Sequence, residues 1–161
     1  MSNKTLIFSS LLGDIHCIFD DNFLIRVSIG DNIMAGNQNC PVLSDSDKDF
    51  LSLGNELELY FAGQLKKFKQ PFKFIMGTDF QKAVWLTLRE IPYGETRTYK
   101  WLAGKVGRPG AFRAAGNALN KNPLPIILPC HRIILSDRSL GGFSAGHESK
   151  RLLLKLESEH I

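Results

Sequence analysis

Residues 96–122 read TRTYKWLAGKVGRPGAFRAAGNALNKN. The run predicts two short helices joined by a tight turn. Thr96 or Thr98 would open the first, because a threonine hydroxyl accepts one of the backbone N–H groups that an opening helical turn leaves free. Gly107 closes it, Arg108-Pro109-Gly110 turns the chain, and a second helix runs on from Ala111. Two short helices around a Gly/Pro turn outline a helix-turn-helix, although any helical hairpin shares that outline and packing is the commoner reason for one. The second helix has an unusual surface: Ala111, Ala114, Ala115, Gly116 and Ala118 leave it nearly bare, and Arg113 stands out among them. Some of these small residues must serve packing on the first helix. A bare helix with one long cation also suits a narrow groove. It lacks the large polar side chains with which a recognition helix reads the major groove, so minor-groove or shape reading fits it better.

Charge points the same way. Residues 1–77 carry 7 Lys+Arg and 9 Asp+Glu, a net of −2, whereas residues 78–161 carry 13 and 7, a net of +6. A basic half suits a polyanionic partner, although a solvated basic face would give the same count. Three cysteines (Cys17, Cys40 and Cys130) form no CxxC pair, and their odd number argues against a disulfide framework. A reducing compartment, cytoplasmic or nuclear, is the expectation. No apolar run approaches the roughly 18 residues that a membrane helix needs, and the start reads as a strand rather than a signal peptide.

Upstream of the quoted stretch, TLIFSSLLG and IHCIFDDNFLIRVSIG alternate as strands with Asp20-Asp21-Asn22 as a hairpin turn. SDSDKDFLSLGNELELYFAGQL predicts a helix capped by Ser44 or Asp45, with Leu53, Leu57, Tyr60 and Phe61 at helical spacing. The connector KKFKQPFKFIMG is the best domain boundary, giving an α/β domain over 1–77 and a second domain over 78–161. TDFQKAVWLTLREI opens the second as a helix capped by Thr78 or Asp79, with Phe80, Val84, Leu88 and Ile91 on one face.

Downstream lies NPLPIILPCHRIIL, residues 122–135. Pro123, Pro125 and Pro129 predict a rigid extended lead-in rather than a central strand. Cys130 and His131 then stand side by side. Free cysteine is often only a small core residue. A cysteine beside a histidine can instead be a nucleophile with its base, since a free thiol with a pKa near 8.5 is only slightly ionised at neutral pH. Adjacent strand residues point to opposite faces, so His131 could serve Cys130 only from a bend or through water. The histidine needs an orienting carboxylate, which could be Asp137, Glu148, Glu157 or Glu159. No other Cys/His cluster near Cys130 suggests a metal.

The segments IPYGETRTY, GRPGAFRAAGNALNKNPLPIILPCHRII and GGFSAGHESKRLLLKLE, in this order, resemble the signature of the 6-O-alkylguanine-DNA alkyltransferases, the methylated-DNA–protein-cysteine methyltransferases. The match spans essentially all of residues 78–157; residues 1–77 match in outline, through YFAGQLKKF and the strands before it. The resemblance implies a small ribonuclease-H-like sheet domain followed by a winged helix-turn-helix-like domain. It implies repair by base flipping and transfer of the alkyl group from 6-O-alkylguanine to the protein's own cysteine, once per molecule; 4-O-alkylthymine stays open as a second substrate. It places the acceptor at Cys130 and the base, acting through water, at His131. Glu157 becomes the orienting carboxylate, Asn122 a site organiser, and Tyr99 the residue that rotates the nucleotide and protonates the leaving base. Arg113 becomes the finger filling the vacated stack and Ser136 a phosphate contact, with Gln81, Lys100 and Arg108 as further DNA contacts. Ser144 and Phe143 line the guanine pocket. The resemblance implies a monomer on alkylated double-stranded DNA, bound from the minor groove, with no membrane and no cofactor.

Departures are visible. Phe143 stands where some relatives have tyrosine, and Ser144-Ala145-Gly146 replaces a more glycine-rich run. His16, Cys17 and Cys40 do not reproduce the zinc-site spacing of some members, and the two cysteines read as core residues. Two rivals remain: a non-catalytic alkylguanine binder, in which tryptophan typically replaces the cysteine, and a cysteine hydrolase, which would turn over.

Overall fold

In a computed structural model of the chain, residues 3–30 and 51–161 are described. They divide into two compact units, Met1–Ile75 and Met76–Ile161. The proposed caps Ser44 and Asp45, and Cys40, lie outside the described residues.

The first unit is built on an antiparallel sheet in the order β1-β2-β3, with strands Asn3–Ser10, Gly13–Asp20 and Phe23–Ile29. Asp21, at φ 52°, makes the turn after β2 with Asn22, in the left-handed region that aspartate tolerates better than most residues. A bulge shifts the register between Ile18 and Phe19. Helix α1, Leu51–Phe61, packs against β1 and buries Leu53, Leu57 and Tyr60, while Phe61 is only half-buried. Cys17 lies inside this core, and burial pushes its thiol up to about 12, so it is an inert packing residue.

The second unit begins with helix α2, Asp79–Thr87. Thr78 caps it: its hydroxyl accepts from the Gln81 backbone N–H at 3.1 Å while the Gln81 side chain accepts from the Thr78 N–H at 3.0 Å. The sequence pattern carries this helix to Ile91, but the α-helix stops at Thr87, a 3-10 turn takes Leu88–Glu90, and Ile91 is extended. The cause is Pro92, whose ring disfavours helical geometry in the residue before it. Val84, Leu88 and Ile91 are still buried.

Strand β4, Arg97–Thr98, leads into α3, Tyr99–Lys105, which Thr98 caps through the Trp101 N–H at 3.1 Å. Gly107, at φ 79°, ends the helical path, and α4 follows over Phe112–Asn120. Trp85 donates its indole N–H to the Ala118 carbonyl at 2.7 Å and ties α2 to α4. The two-helix reading of residues 96–122 therefore describes α3 and α4, with the threonine cap falling on Thr98.

The proline-rich segment is not the extended lead-in that its prolines predict. Residues 121–129 coil through consecutive turns, with Ile126 at φ 74° and the Leu128 N–H bonded to the Leu124 carbonyl at 2.8 Å. Proline excludes helix and ladder but is as compatible with turns as with extension. Buried Asn122 supplies the partners that the turns need: its amide donates to the Leu128 carbonyl at 2.9 Å and accepts from the Leu124 N–H at 3.0 Å. A 3-10 turn, Cys130–Arg132, then runs into β5, Ile133–Ile134, which pairs parallel with β4. The final helix, α5, spans His147–Glu159 and buries Lys150, Leu153, Leu156 and Glu157 along one face. Among the described residues no helix is long and apolar enough to cross a membrane.

Candidate active site

Cys130 opens the 3-10 turn after Pro129 and is 5% exposed. The turn takes Cys130 and His131 out of strand alternation, which is the bend that the sequence pattern requires. Burial pushes the thiol up to about 11, opposed by the Asn122 amide, the Lys150 ammonium and the backbone N–H groups of Cys130 and His131. The thiol is thus protonated at neutral pH, but it sits among groups that favour the thiolate.

His131 is fully buried and lies 2.7 Å, through Nε2, from Glu157 Oε1. Burial holds its pKa below the ordinary histidine value despite the neighbouring carboxylate. A neutral imidazole donating from Nε2 to a carboxylate carries its lone pair on Nδ1. That Nδ1 has no hydrogen-bond partner among the described residues. The ring is therefore set up as a proton acceptor.

Glu157, 1% exposed, is the carboxylate that the histidine uses. The other three acids are elsewhere: Asp137 bonds Ser139, Glu148 pairs with Arg151 and Glu159 lies near Lys155, all at the surface. Burial alone would raise the Glu157 pKa. Hydrogen bonds and charges from His131 and Arg132 outweigh it and hold the carboxyl well below the usual carboxylate range. Arg132 donates to it from Nε and Nη2, each at 2.9 Å, and from Nη1 to the Ile91 carbonyl at 2.8 Å. The Gly94 N–H adds a longer bond of 3.4 Å.

Tyr99 starts α3, half-buried. Burial and the neighbouring Cys130 raise its phenol pKa, with a Gly142 backbone hydrogen bond opposing them. Gly141 adopts φ 72°, and a Cβ there would fall 2.9 Å from the Tyr99 hydroxyl, so only glycine fits. Phe143 presents its ring edge-on to His131 with centroids 6.5 Å apart. Cys130, His131, Glu157, Asn122, Tyr99 and Phe143 thus converge on one site.

The remaining predicted contacts lie around it. Arg113 is exposed on the first turn of α4, Lys100 is exposed on α3, and Ser136 and Ser144 are exposed in the loop between β5 and α5. Arg108 sits over the Phe80 ring at 5.1 Å. The Gln81 carbonyl is committed to the α2 cap, leaving its NH₂ group for any further partner.

Two functional groups escaped the sequence reading. Arg132 was visible next to His131, but its partners 25 and 41 residues away were not. Lys150 is fully buried and donates to the carbonyls of Ile133 and Gly142. Burial brings its pKa down to about 8, while Cys130 pulls it up. Its signal was there: Lys150, Leu153 and Glu157 stand at i, i+3 and i+7, one face of α5.

This geometry defines a protein with a buried thiol next in the chain to a histidine–glutamate pair. A family model described as 6-O-methylguanine DNA methyltransferase, DNA binding domain, matches residues 79–159. A methylated-DNA–protein-cysteine methyltransferase of Methanosarcina acetivorans is 44% identical over 94% of this chain and 96% of its own length. An inducible one of Bacillus subtilis is 37% identical over 97% and 93%. The Mycobacterium tuberculosis O6-methylguanine methyltransferase superposes with a TM-score of 0.90 at 34% identity, covering 99% of this chain and 94% of that one. The M. tuberculosis protein in complex with DNA gives 0.88, covering 98% and 94%. The chain belongs to the 6-O-methylguanine DNA methyltransferase family, and its fold is the mixed α/β fold of those structures.

Proposed function

We propose that this chain repairs DNA directly, moving the alkyl group of 6-O-alkylguanine onto Cys130 and ending its own activity in doing so. The observation that carries this reading is the buried thiol beside a 2.7 Å histidine–glutamate pair, within a chain that belongs to this family. The family's named members act on methylated DNA, and one is seen bound to DNA.

The chemistry follows from the groups present. The Cys130 proton passes to Nδ1 of His131 through one water, and the resulting imidazolium is held by Glu157. The thiolate is stabilised by Asn122 and Lys150. It attacks the O-linked carbon; the S–C bond forms and the C–O6 bond breaks with its electron pair going to the purine. Tyr99, whose phenol stays protonated at neutral pH, gives the leaving base its proton. The product is a thioether. A thioether resists both hydrolysis and exchange with thiols at neutral pH, so each molecule acts once.

On this reading residues 1–77 form the ribonuclease-H-like supporting domain, and residues 78–161 form the winged helix-turn-helix-like domain that binds DNA and accepts the alkyl group. The bare α4 enters the minor groove, Arg113 fills the stack when the base flips out, and Ser136, Gln81, Lys100 and Arg108 hold the backbone. Flipping costs a few kcal/mol, less for a mispaired alkylguanine, and phosphate contacts supply much of the affinity. The protein acts as a monomer in the cytoplasm or on the nucleoid, and 4-O-alkylthymine is its second candidate substrate. The test is to mix the protein with methylguanine duplex and weigh it. A stable gain of one methyl on the Cys130 peptide is expected. Clearance of several lesions per molecule, or recovery of an unmodified thiol, would overturn the assignment.

A further inference from the structure

Three cations around α3 are seated on aromatic rings. Arg97 and Lys105 both lie 5.8 Å from the centroid of the Trp101 ring, at i−4 and i+4 from it, and Arg108 rests on Phe80 in the same way. Arg97 also pairs with Glu95 through Nη2 at 2.7 Å and donates from Nη1 to the Thr96 carbonyl at 2.8 Å. Neither Lys105 nor Arg108 makes an ion pair among the described residues.

The choice of seat matters. An exposed carboxylate such as Glu95 offsets a cation's charge only in part and can give way to a phosphate. A ring face orders the cation and leaves its charge uncancelled. With each charge 5.8 Å from one centroid, the two can be no more than about 12 Å apart, close enough for one duplex to meet both. DNA carries one phosphate charge per roughly 1.7 Å of duplex axis, so a duplex laid over the ring offers each cation a phosphate. Trp101 itself is only half-buried, whereas Trp85, the other tryptophan, is buried and hydrogen-bonded. The strip starts on β4 and runs along the helix whose first residue is Tyr99.

We propose that Trp101, with Arg97 and Lys105 seated on it, is a phosphate-docking platform that extends the DNA interface along α3. The inference rests on the DNA-repair reading above and adds a contact surface to it. Lesion-free duplex is titrated at several salt concentrations with the full chain and with an Arg97→Gln/Lys105→Gln double variant whose folding is checked by circular dichroism. Each phosphate neutralised contributes about 0.9 to the slope of log affinity against log salt. The double variant should therefore lose between about 0.9 of that slope, for Lys105 alone, and about 1.8, if phosphate displaces Glu95 from Arg97, making its loss of affinity between 50 and 200 mM salt about 3- to 12-fold smaller. A slope change under about 0.5 means distant Coulomb attraction only and overturns the platform. Trp101→Leu keeps both charges and should still weaken binding several-fold; equal affinity reduces the ring to packing and also overturns it. If the double variant fails to fold, the wild-type chain remains decisive: duplex should shield its tryptophan fluorescence from acrylamide, since Trp101 is the accessible one, and undiminished quenching refutes the contact. A chain that takes methyl from duplex yet fails these tests loses the platform alone; one that takes none loses the repair reading.

Discussion

Replacing Glu157 by glutamine probes the relay at the point where the most structure meets. The carboxylate accepts from His131 at 2.7 Å and twice from Arg132 at 2.9 Å, all in the interior. Removing its charge leaves the Arg132 guanidinium buried against a neutral amide, a change that costs about 3–5 kcal/mol when a buried pair loses one partner. At about 2–4 °C per kcal/mol for a chain of this size, the melting temperature should fall by roughly 6–20 °C. The chemical effect is separate. Thiolate formation places a positive charge on His131, which the carboxylate stabilises by about 4 kcal/mol for charge centres roughly 4 Å apart at an effective dielectric of about 20. Losing that attraction should slow transfer by about 10³-fold, at 1.36 kcal/mol per factor of ten. Single-turnover assays with methylguanine duplex separate the two: the amplitude counts folded, competent molecules and the rate reports the chemistry. A variant with full amplitude and a rate within tenfold of wild type would refute the claim that Glu157 acts through His131.

Four further outcomes are expected. The transfer rate should hold well below pH 6.5 and fall only on stronger acidification, because burial depresses the His131 pKa and its Nδ1 must be unprotonated to accept; a midpoint at or above 6.5 contradicts this base. Glu157 sets a matching stability trend. Its folded pKa lies below the unfolded value, so its contribution is full above about pH 4.3 and is lost as pH falls through the folded value, and acid titration of Glu157→Gln should lack that loss. Lys150→Met should slow transfer at neutral pH by tenfold or more and raise the Cys130 thiol pKa, read by iodoacetamide alkylation against pH; an unmoved thiol titration would confine Lys150 to holding the Ile133 and Gly142 carbonyls. Arg113→Ala should slow repair of duplex far more than reaction with free alkylguanine, and equal slowing of both would remove its flipping role.

The sequence by itself determined what is local. The hairpin turn at Asp20-Asp21-Asn22, the choice of caps narrowed to Thr78 or Asp79 and to Thr96 or Thr98, and the helix pair over residues 96–122 all follow from side chains acting on backbone within a few residues. Cys130 and His131 are legible for the same reason, being adjacent. Reading residues against a family pattern added Glu157, Asn122 and Tyr99, but spacing alone left four acids open. The tertiary structure decided among them, because Glu157 lies 26 residues from His131 and only the docking of α5 makes that 2.7 Å. It also coiled the proline segment around Asn122, buried Lys150 beside the thiol and gave Arg132 its partners. Periodicity encodes which face of an element is buried, not what it is buried against; that depends on long-range packing, where the energy of a charge is fixed by neighbours the local sequence does not contain.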